Sequence, residues 1–389
     1  MKNDNAPFPL AFGVILALAP LAWPLVLQAA PEPKFYEPLE SLRAISPGAT
    51  LGAPSALGEG RVGRAVLLER RTENHFRDAE WNNPNSKEWI RLNGAKISNG
   101  RLELSRGAMA RQVVENLEAK KLYCFSVYAR ATSGSAKLAM EWSGSEEPNR
   151  REFDLGTEGK RVWVFGRSVG GSGTATLTSA AGSVEIEKPQ FEDRVSFPTS
   201  FLASGKRGVS GLTWKSGEAL FDATEGTASF WIKPNWIGET SDNGMSLFFL
   251  MRDPSEAWNK ARSAIQLNVW VTDPSLRDWQ YAVNLRVSDQ KGDQKSLMVP
   301  LQDWTPGWHH LAVVWNLRKS GDGRVILYVD GEARASADHL PLQGMEGPTW
   351  MAFGQGLGGY LDGWLDEVRV YDRELDAAAV RELSREGGP

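Results

Sequence analysis

Apolar and polar residues alternate in many short stretches of the chain from about Arg61 onward. Successive side chains of a β-strand point to opposite faces of a sheet, so this period of two predicts half-buried strands. Gly, Asn, Asp and Ser, which favour turns, separate the stretches. The first series of predicted strands comprises RAVLLERR, GRLELSR, KLYCFSVYAR, AKLAMEWSG, RVWVFGRSV, TATLTS and SVEIEKPQF.

A second series of predicted strands begins near Leu220. It comprises ALFDA, GTASFWIKP, MSLFFLMR, SAIQLNVWV, YAVNLRVSD, KSLMVPL, HHLAVVWN, RVILYVDGE, TWMAFG and GWLDEVRVY. The segment Ser196–Lys215 has weaker alternation and more Gly and Ser, which predicts a domain junction there. The pattern therefore predicts an all-β protein with two tandem antiparallel β-sandwiches of the jelly-roll type, over residues 61–202 and 203–389.

One short helix is predicted at the C-terminal end of the second sandwich, in LDAAAVRELSREGG. Asp376 is suited to cap its first turn, the alanines favour helix, and Gly387 and Gly388 favour its termination.

The N-terminal segment has the pattern of a hydrophobic leader. One lysine precedes an apolar run from Phe8 to Leu27, and small residues and Pro31 follow. This pattern predicts that residues 1–30 are either an export signal, cleaved after Ala29 or Ala30, or a retained membrane anchor, with a buried helix as the remaining alternative. Residues 31–60, rich in Pro, Gly, Ala and Ser, are interpreted as a linker. A secreted or cell-envelope protein is expected, touching the membrane only through an uncleaved leader.

The charge of the chain argues against nucleic-acid binding, and its cysteine content excludes an intrachain disulfide. The 389 residues carry a net charge of −4 and no long basic run, so no nucleic-acid partner is expected. Cys124 is the only cysteine, which rules out an intrachain disulfide, and its apolar neighbours predict a small core residue.

Two of the four histidines, His309 and His310, begin the segment HHLAVVWNLRKSGDGRVILYVDGE. Alternation predicts a strand in HHLAVVWN and another in RVILYVD, with turns at SGDG and at Asp330-Gly331. Asp-Gly is a typical hairpin dipeptide, because the turn needs positive φ angles. The segment is therefore interpreted as scaffold rather than as a catalytic site.

The second sandwich resembles the laminin-G-like, concanavalin A-like jelly-roll family. The resemblance rests on GTASFWIKP, GWHHLAVVW, VILYVDGE and GYLDGWLDEVRVYDRELDAAAVREL, in the family's order, between Leu220 and Leu383. It implies framework roles for Trp308, His309, His310, Trp364, Asp366 and Glu367.

The first sandwich resembles carbohydrate-binding-like jelly rolls of the galactose-binding type, over about Ala65 to Leu202. The matching phrases are VLLERRTENHFRDAEW, NLEAKKLYCFSVYARA and VEIEKPQFEDRVSFPTSFL. Many such domains hold a structural calcium ion where the first and last strands meet, and calcium prefers oxygen ligands. The resemblance thus makes calcium a possible cofactor, with Glu73, Asn74, Glu192 and Asp193 as candidate ligands. The alternative is that these are solvated charges at strand ends.

No catalytic constellation is found in the sequence, so a non-enzymatic role is expected. The concanavalin A-like sandwich also carries β-glucanases, which need Glu-x-Asp-x-Glu on one strand. The nearest approaches, Glu152-Phe-Asp154 and Glu374-Leu-Asp376, each lack the third carboxylate. Nucleophile-elbow, zinc-helix and phosphate-loop motifs are also absent from the sequence.

Tryptophans in polar surroundings are the candidate ligand-binding residues, because sugars stack on aromatic faces beside amides and carboxylates. Trp258 with Asn259 and Trp279 with Asp278 are the first candidates, followed by Trp304 and Trp81. The alternative role for each ring is to seal the rim of its own sandwich.

The expected function is that of an exported, non-catalytic protein that binds a glycan or a surface or envelope protein, in adhesion or envelope organisation. Two alternatives remain open: a glycoside hydrolase or lyase with a degenerate site, and a structural subunit of an extracellular assembly. The oligomeric state is not determined by the sequence.

Overall fold

The structure is a computed structural model. It describes residues 32–40, 47–52, 56–203, 205–208, 210–235, 245–256, 260–271, 281–301, 304–318, 322–342, 345–356 and 359–386. The predicted leader lies outside these ranges. The chain from Glu32 onward forms one compact unit.

Fourteen strands are found before residue 200: β1 (Phe35–Glu37), β2 (Ala49–Leu51), β3 (Ala56–Glu59), β4 (Arg64–Leu68), β5 (Ile90–Leu92), β6 (Lys96–Ser98), β7 (Arg101–Leu104), β8 (Met109–Leu117), β9 (Leu122–Ala131), β10 (Ala136–Trp142), β11 (Arg151–Leu155), β12 (Lys160–Arg167), β13 (Gly171–Ala181) and β14 (Val184–Asp193). The strands after residue 200 are β15 (Leu212–Lys215), β16 (Glu225–Pro234), β17 (Met245–Met251), β18 (Ala264–Val271), β19 (Tyr281–Ser288), β20 (Gln294–Pro300), β21 (His309–Asn316), β22 (Gly323–Val329), β23 (Glu332–Leu340), β24 (Trp350–Phe353) and β25 (Gly363–Tyr371).

The N-terminal sandwich consists of two five-stranded sheets with the orders β11-β10-β13-β8-β5 and β12-β9-β14-β7-β6. All its ladders are antiparallel, as the alternating pattern predicts. The apolar positions of both sheets meet in one core, which contains Phe76, Trp89, Phe125, Trp142 and Phe191.

The C-terminal sandwich pairs a larger and a smaller sheet. The eight-stranded sheet has the order β23-β22-β21-β16-β25-β4-β3, with β1 also paired to β25, and the seven-stranded sheet has the order β2-β15-β24-β17-β18-β19-β20. Their facing sides bury one large core, which includes Phe230, Phe248, Leu285, Trp315 and Phe353. The predicted fold class, an all-β protein of antiparallel jelly-roll sandwiches, is thereby confirmed.

The segment interpreted as a linker differs from its prediction. Within residues 31–60, β1 pairs with β25, β2 with β15 and β3 with β4. Strand β4, which falls inside the predicted first domain, pairs with β25. Residues 35–68 therefore contribute four strands to the C-terminal sandwich before the chain enters the N-terminal one. Three- and four-residue strands are too short to show a period of two, and their partners lie far away in sequence.

An apolar layer joins the two sandwiches. Cys124 is fully buried, and it shares a core cluster with Val195, Phe197 and Leu68 rather than with its own sandwich. On β9, Phe125 and Val127 face the N-terminal core, so Cys124 points from the opposite side of the sheet toward the C-terminal sandwich. The expectation that Cys124 is a small buried residue is confirmed.

Buried ion pairs fix the same junction. Arg70, just after β4, donates from its backbone N–H and its Nε to Asp362, each at 2.7 Å, and its Nη2 also contacts that carboxylate. Both side chains are at most 1% exposed. Glu69 pairs with Arg207 at 2.6 Å and accepts from the backbone N–H of Ser200 at 2.7 Å. Because these groups are desolvated and specifically paired, they set how the chain passes between the sandwiches.

The one helix among the described residues, α1 (Ala377–Leu383), lies where the sequence predicts it. The Asp376 side chain accepts from the backbone N–H of Ala379 at 2.8 Å, and Val380 and Leu383 are buried. The predicted cap is confirmed. Within the described ranges no helix has the length and apolarity needed to span a membrane.

Candidate functional site

The outer face of the seven-stranded sheet carries polar side chains from its central strands. On β18, Ile265, Leu267 and Val269 belong to the core. The intervening Gln266 and Asn268 therefore point away from the core, to the outer side of the sheet. By the same alternation, Asn284 and Arg286 of β19 share that side. These four residues are called the amide face below.

The strand register aligns the amide face in two rows. Gln266 lies opposite Arg286, and Asn268 lies opposite Asn284. Residues directly opposite each other in an antiparallel pair have Cβ atoms about 5 Å apart, and strands are separated by about 4.8 Å. The four side chains therefore form a compact patch on the outer side of the sheet, in which Gln266 is buried and Asn268, Asn284 and Arg286 are partly exposed.

Apolar side chains border this patch. Phe249 of β17 lies opposite Gln266, and Met298 of β20 lies opposite Asn284. Phe249 packs against Trp350, with ring centroids 6.1 Å apart, in a small apolar cluster separate from the main core. Met298 is 50% exposed. Met298 thus adds an exposed apolar side chain beside the polar patch, as in small-molecule sites, whereas Phe249 is buried.

Because polar atoms of the amide face are buried, leaving one of them without a hydrogen bond costs free energy. Gln266 is 1% exposed, and burial lowers the pKa of Arg286. The Asn284 side-chain oxygen is buried and has no hydrogen-bond partner within the described ranges. A buried acceptor without a partner costs about 1–3 kcal/mol, which a ligand hydroxyl would recover by donating to it.

The amide face is built from amides and a guanidinium rather than from carboxylates. Strands β17 to β20 contain neither Asp nor Glu. Hydrolysis of a glycosidic bond generally uses two carboxyl groups, as acid and as base or nucleophile. Amides and a guanidinium donate and accept hydrogen bonds without transferring protons near neutral pH.

A cavity of about 450 Å³ lies where β17 ends and β18 begins. Arg252, Asp253, Glu256, Arg262 and Thr349 contribute to its walls. Glu256 fixes one wall by accepting from the Arg262 backbone N–H at 2.7 Å and from its Nε at 2.9 Å. The cavity is called the rim cavity below.

Four predicted ligand-binding residues, Trp258, Asn259, Asp278 and Trp279, lie outside the described residues. The described residues nearest to the first pair are Glu256 and Lys260, and Glu256 lines the rim cavity. These four assignments stay predictions.

The other two predicted ligand-binding tryptophans are engaged in packing. Trp304 stacks on His309 with ring centroids 4.4 Å apart and an interplanar angle of 12°. Trp81 is 1% exposed and packs edge-on against Trp89. Trp81 is therefore a core residue in this structure rather than a ligand platform. Its neighbours in the sequence are polar, so the sequence alone suggests an exposed loop, whereas the ring points inward.

The His309–His310 segment is built as scaffold. Asp330, in the hairpin turn between β22 and β23, bonds His309 Nδ1 at 2.9 Å and accepts from the His310 backbone N–H at 2.8 Å. Asp330 and Gly331 have φ angles of 52° and 81°, as the predicted turn requires. His310 Nε2 lies 2.9 Å from Ser229 Oγ, but both residues are at most 1% exposed, so no substrate reaches this pair.

The pKa values of the two histidines are shifted in opposite directions. Burial opposes protonation of His309, but hydrogen bonds to Asp330 and to the Thr305 carbonyl outweigh it and raise the pKa. Burial lowers the pKa of His310 to about 4, because its ring lacks an anionic partner close enough to compensate. His310 is therefore neutral at physiological pH.

Asp366 and Glu367 hold the strands contributed by the predicted linker. Asp366 accepts from the backbone N–H groups of Arg61 and Val62 at 2.8 and 3.0 Å, and burial raises its pKa to about 7. Glu367 accepts from the Tyr36 hydroxyl at 3.0 Å and contacts Arg369. These contacts agree with the framework roles that the family resemblance implies.

The carboxylate pairs considered for glucanase chemistry have other roles. Glu152 and Asp154 are exposed on β11 and pair with Arg150 at 3.4 Å and Lys137 at 3.1 Å. Glu374 accepts from the Asn316 side chain at 3.1 Å, and Asp376 caps α1.

The four candidate calcium ligands divide into two types. The Asn74 side chain bonds four backbone groups, and Glu192 accepts from the Thr199 backbone N–H at 3.0 Å and from its hydroxyl. Both side chains are thereby committed to the framework. Glu73 pairs with Lys206 at 3.1 Å and Asp193 with Lys121 at 3.0 Å. No metal-binding group of three or more residues occurs in the described part of the chain. The calcium assignment stays a prediction.

Sequence reasoning missed the amide face. Its signal is the spacing Gln-x-Asn in AIQLNVWV and Asn-x-Arg in YAVNLRVS, where polar residues interrupt otherwise apolar strands at every second position. Each spacing indicates one polar side of a strand. Only the register of β18 with β19 shows that the two polar sides meet.

Three solved structures illustrate the similarity of this chain to known folds. The native heptameric SAP-like pentraxin from Limulus polyphemus is 18% identical, with a TM-score of 0.32, over 44% of this chain and 75% of its own. The botulinum neurotoxin serotype D ligand binding domain, solved in complex with N-acetylneuraminic acid, is 15% identical, with a TM-score of 0.33 and 45% of this chain covered. The botulinum neurotoxin type G receptor binding domain is 12% identical, with a TM-score of 0.32 and 46% of this chain covered. The aligned part spans 40% of each toxin domain's length.

No curated protein matches the chain. One family model does match, and its residues include β16 to β25 and most of α1. The family resemblance predicted for the C-terminal sandwich is thereby confirmed: residues 207–381 match the concanavalin A-like lectin/glucanases superfamily.

Proposed function

We propose that this protein is an exported, non-catalytic glycan-binding protein that recognises its ligand on the amide face. The observation that carries the proposal is the patch of Gln266, Asn268, Asn284 and Arg286 on adjacent strands of a concanavalin A-like sandwich. Amides and guanidinium groups in a partly dehydrated setting bind hydroxyls, and the neighbouring apolar surface accommodates the C–H groups of a sugar ring.

The rim cavity extends the proposed site along the strand direction. Met251 and Ala264, which are buried on the outer side of β17 and β18, lie between the amide face and Arg252 and Ser263 in its wall. Trp258, Asn259, Asp278 and Trp279, which the sequence marks as ligand candidates, stay part of the proposal on the sequence alone. A site of this extent accommodates an oligosaccharide.

The proposed location and biological role rest on the sequence. The hydrophobic leader of residues 1–30 supports export, either as a secreted protein or as one held at the cell envelope. Binding of an envelope or surface glycan then serves adhesion or envelope organisation. Calcium remains a proposed structural cofactor, which the same binding experiment tests.

A glycan-array screen of the purified protein, with calcium and with chelator, tests the proposal. The Arg286→Ala variant should lose about tenfold or more in affinity for each selective glycan, because a charge-assisted hydrogen bond contributes about 1.5–3 kcal/mol. Arg334→Ala is the matched control, since Arg334 is an exposed arginine on β23. It should bind like the wild type.

Three results would contradict the proposal. A blank array with a folded protein would remove glycan recognition and favour a structural or protein-binding role. Selective binding that Arg286→Ala leaves intact would move the site away from the amide face. Cleavage of an arrayed glycan would favour the hydrolase alternative.

A further inference from the structure

A second concave surface lies at the junction of the two sandwiches. It encloses about 440 Å³ and is called the junction pocket below. Arg71, His75, Lys121, Asp193 and Lys206 line it. Tyr360, from the C-terminal sandwich, completes its wall. The pocket therefore depends on both sandwiches.

Ion pairs hold the floor of the junction pocket in place. Lys121 Nζ lies 3.0 Å from Asp193 Oδ2, and their side chains are only 13% and 15% exposed. Burial opposes ionisation of Asp193, but the hydrogen bond from Lys121 outweighs it and lowers the pKa. Across the pocket, Lys206 lies 3.1 Å from Glu73. These pairs keep charged groups ordered, so little entropy is lost when a ligand joins them.

Positive charge remains after this pairing. The lining contains four cationic side chains and three carboxylates, which leaves one net positive charge. Arg71 has no ion-pair partner in the described part of the chain, and its side chain is exposed. An unpaired guanidinium beside ordered lysines is suited to bind a carboxylate with two parallel hydrogen bonds.

Two further groups suit the remainder of a sugar. The His75 Nε2 atom is buried and has no hydrogen-bond partner among the described residues. The same ring is held edge-on against Tyr123 at 5.8 Å, which fixes the direction of that nitrogen. Tyr360 adds an aromatic ring to the lining of the pocket. A hydroxyl partner for His75 and a C–H surface for Tyr360 are both present on a sugar ring.

From this combination we infer that the junction pocket binds a carboxylated sugar, such as a uronic acid unit of an acidic glycan. Arg71 holds the carboxylate, Lys206 and Lys121 add positive charge, and His75 bonds a ring hydroxyl. The inference rests on the proposed glycan-binding function for its class of ligand, and it adds a site separate from the amide face.

Isothermal titration calorimetry of the whole protein tests this assignment. The probes are a trimer of galacturonic acid and the corresponding trimer of galactose. The wild type should bind the acidic trimer at least about tenfold more tightly, and the preference should decrease as salt is added. Arg71→Ala should lose that tenfold preference. The control Arg106→Ala removes an equal charge from an exposed loop position outside the pocket and should keep it.

The variant Arg286→Ala separates this inference from the proposed function. If Arg286→Ala retains the preference for the acidic trimer and Arg71→Ala loses it, the junction pocket is the acidic site. If the reverse is found, the acidic sugar binds on the amide face, which overturns this inference and leaves the proposed function standing. Absence of any preference in the wild type overturns the inference, whatever the glycan array shows.

Discussion

The two outer faces of the C-terminal sandwich both carry polar residues, but they use them differently. On the eight-stranded sheet, two carboxylates bond within the framework: Asp330 to His309 and the His310 backbone, and Asp366 to the backbone of Arg61 and Val62. On the seven-stranded sheet, the Asn284 oxygen is buried without such a partner in the described part of the chain. On the amide face Asn268, Asn284 and Arg286 are partly exposed, whereas His310 and Ser229 are at most 1% exposed.

This difference shows that burial of polar residues does not by itself identify a functional site. The His-His pair and the Asp-Glu pair of β25 attract attention in the sequence because their residue types serve in catalysis. His309, Asp366 and Glu367 form hydrogen bonds within the framework, which fix the strands that they join. The Nδ1 atom of His310 has no hydrogen-bond partner in the described part of the chain, but this side chain is fully buried. The less conspicuous Asn268 of β18 and Asn284 of β19 are partly exposed and so accessible to an external partner.

The largest expected effect is a loss of stability when the buried ion pair between Arg70 and Asp362 is broken. Arg70→Met leaves the Asp362 carboxylate buried without its partner and should reduce the free energy of unfolding by about 3–5 kcal/mol. Chemical denaturation measures this change. The double variant Arg70→Met/Asp362→Leu should recover much of the loss, because no unpaired charge remains. A single variant as stable as the wild type would show that the pair is not a framework element.

His310 should make stability depend on pH. Its pKa falls from 6.5 to about 4 in the folded protein, so the unfolded chain binds more protons between these values. The free energy of unfolding should therefore decrease as pH falls from 6.5 to 4, with a contribution from His310 of about 3 kcal/mol.

The difference in unfolding free energy between wild type and His310→Gln isolates this contribution. Asp366, whose pKa is raised to about 7, acts in the opposite direction, since its contribution to stability decreases as pH rises from 3.8 to 7. Both proteins contain Asp366, so its effect cancels in the comparison. A difference that stays constant from pH 4 to 7 would contradict the buried, neutral state of His310.

A smaller effect on stability is expected at Trp304, whose ring stacks on His309. Trp304→Ala should lower the free energy of unfolding by about 1 kcal/mol for the lost aromatic pair, and by a further amount because the partly buried ring is removed. Thermal denaturation measures this loss. Glycan affinity should remain unchanged, and a variant that unfolds normally but fails to bind would return Trp304 to the ligand site.

Local features of this fold could be predicted from the sequence, and distant pairings could not. The Asp330-Gly331 turn and the Asp376 cap depend on neighbouring residues, so a few letters were enough to identify them. The pairing of β1 with β25 joins residues more than 300 positions apart, and three residues show no period. The strand composition predicts the sandwiches but not which early segment completes them.

The same limit applies to the candidate site. Alternation assigns Gln266 and Asn268 to one side of β18, but only the register of β19 brings Asn284 and Arg286 beside them. Trp81 shows the converse error, because its polar neighbours suggest exposure while its ring packs inward on Trp89. Sequence spacing thus predicts the side of the strand on which a residue lies. The strand register determines which residues of the neighbouring strand lie beside it.

The most direct test of the amide face is to measure affinity and stability on one variant, Asn284→Ala. Its dissociation constant for the strongest array glycan and its Tm would be compared with those of the wild type and of the surface amide variant Asn82→Ala. We expect at least about a tenfold weaker dissociation constant for Asn284→Ala at a nearly unchanged Tm, and no change in either quantity for Asn82→Ala. An Asn284→Ala variant that binds normally, or one that loses binding only because it unfolds, would contradict the assignment of this face to ligand recognition.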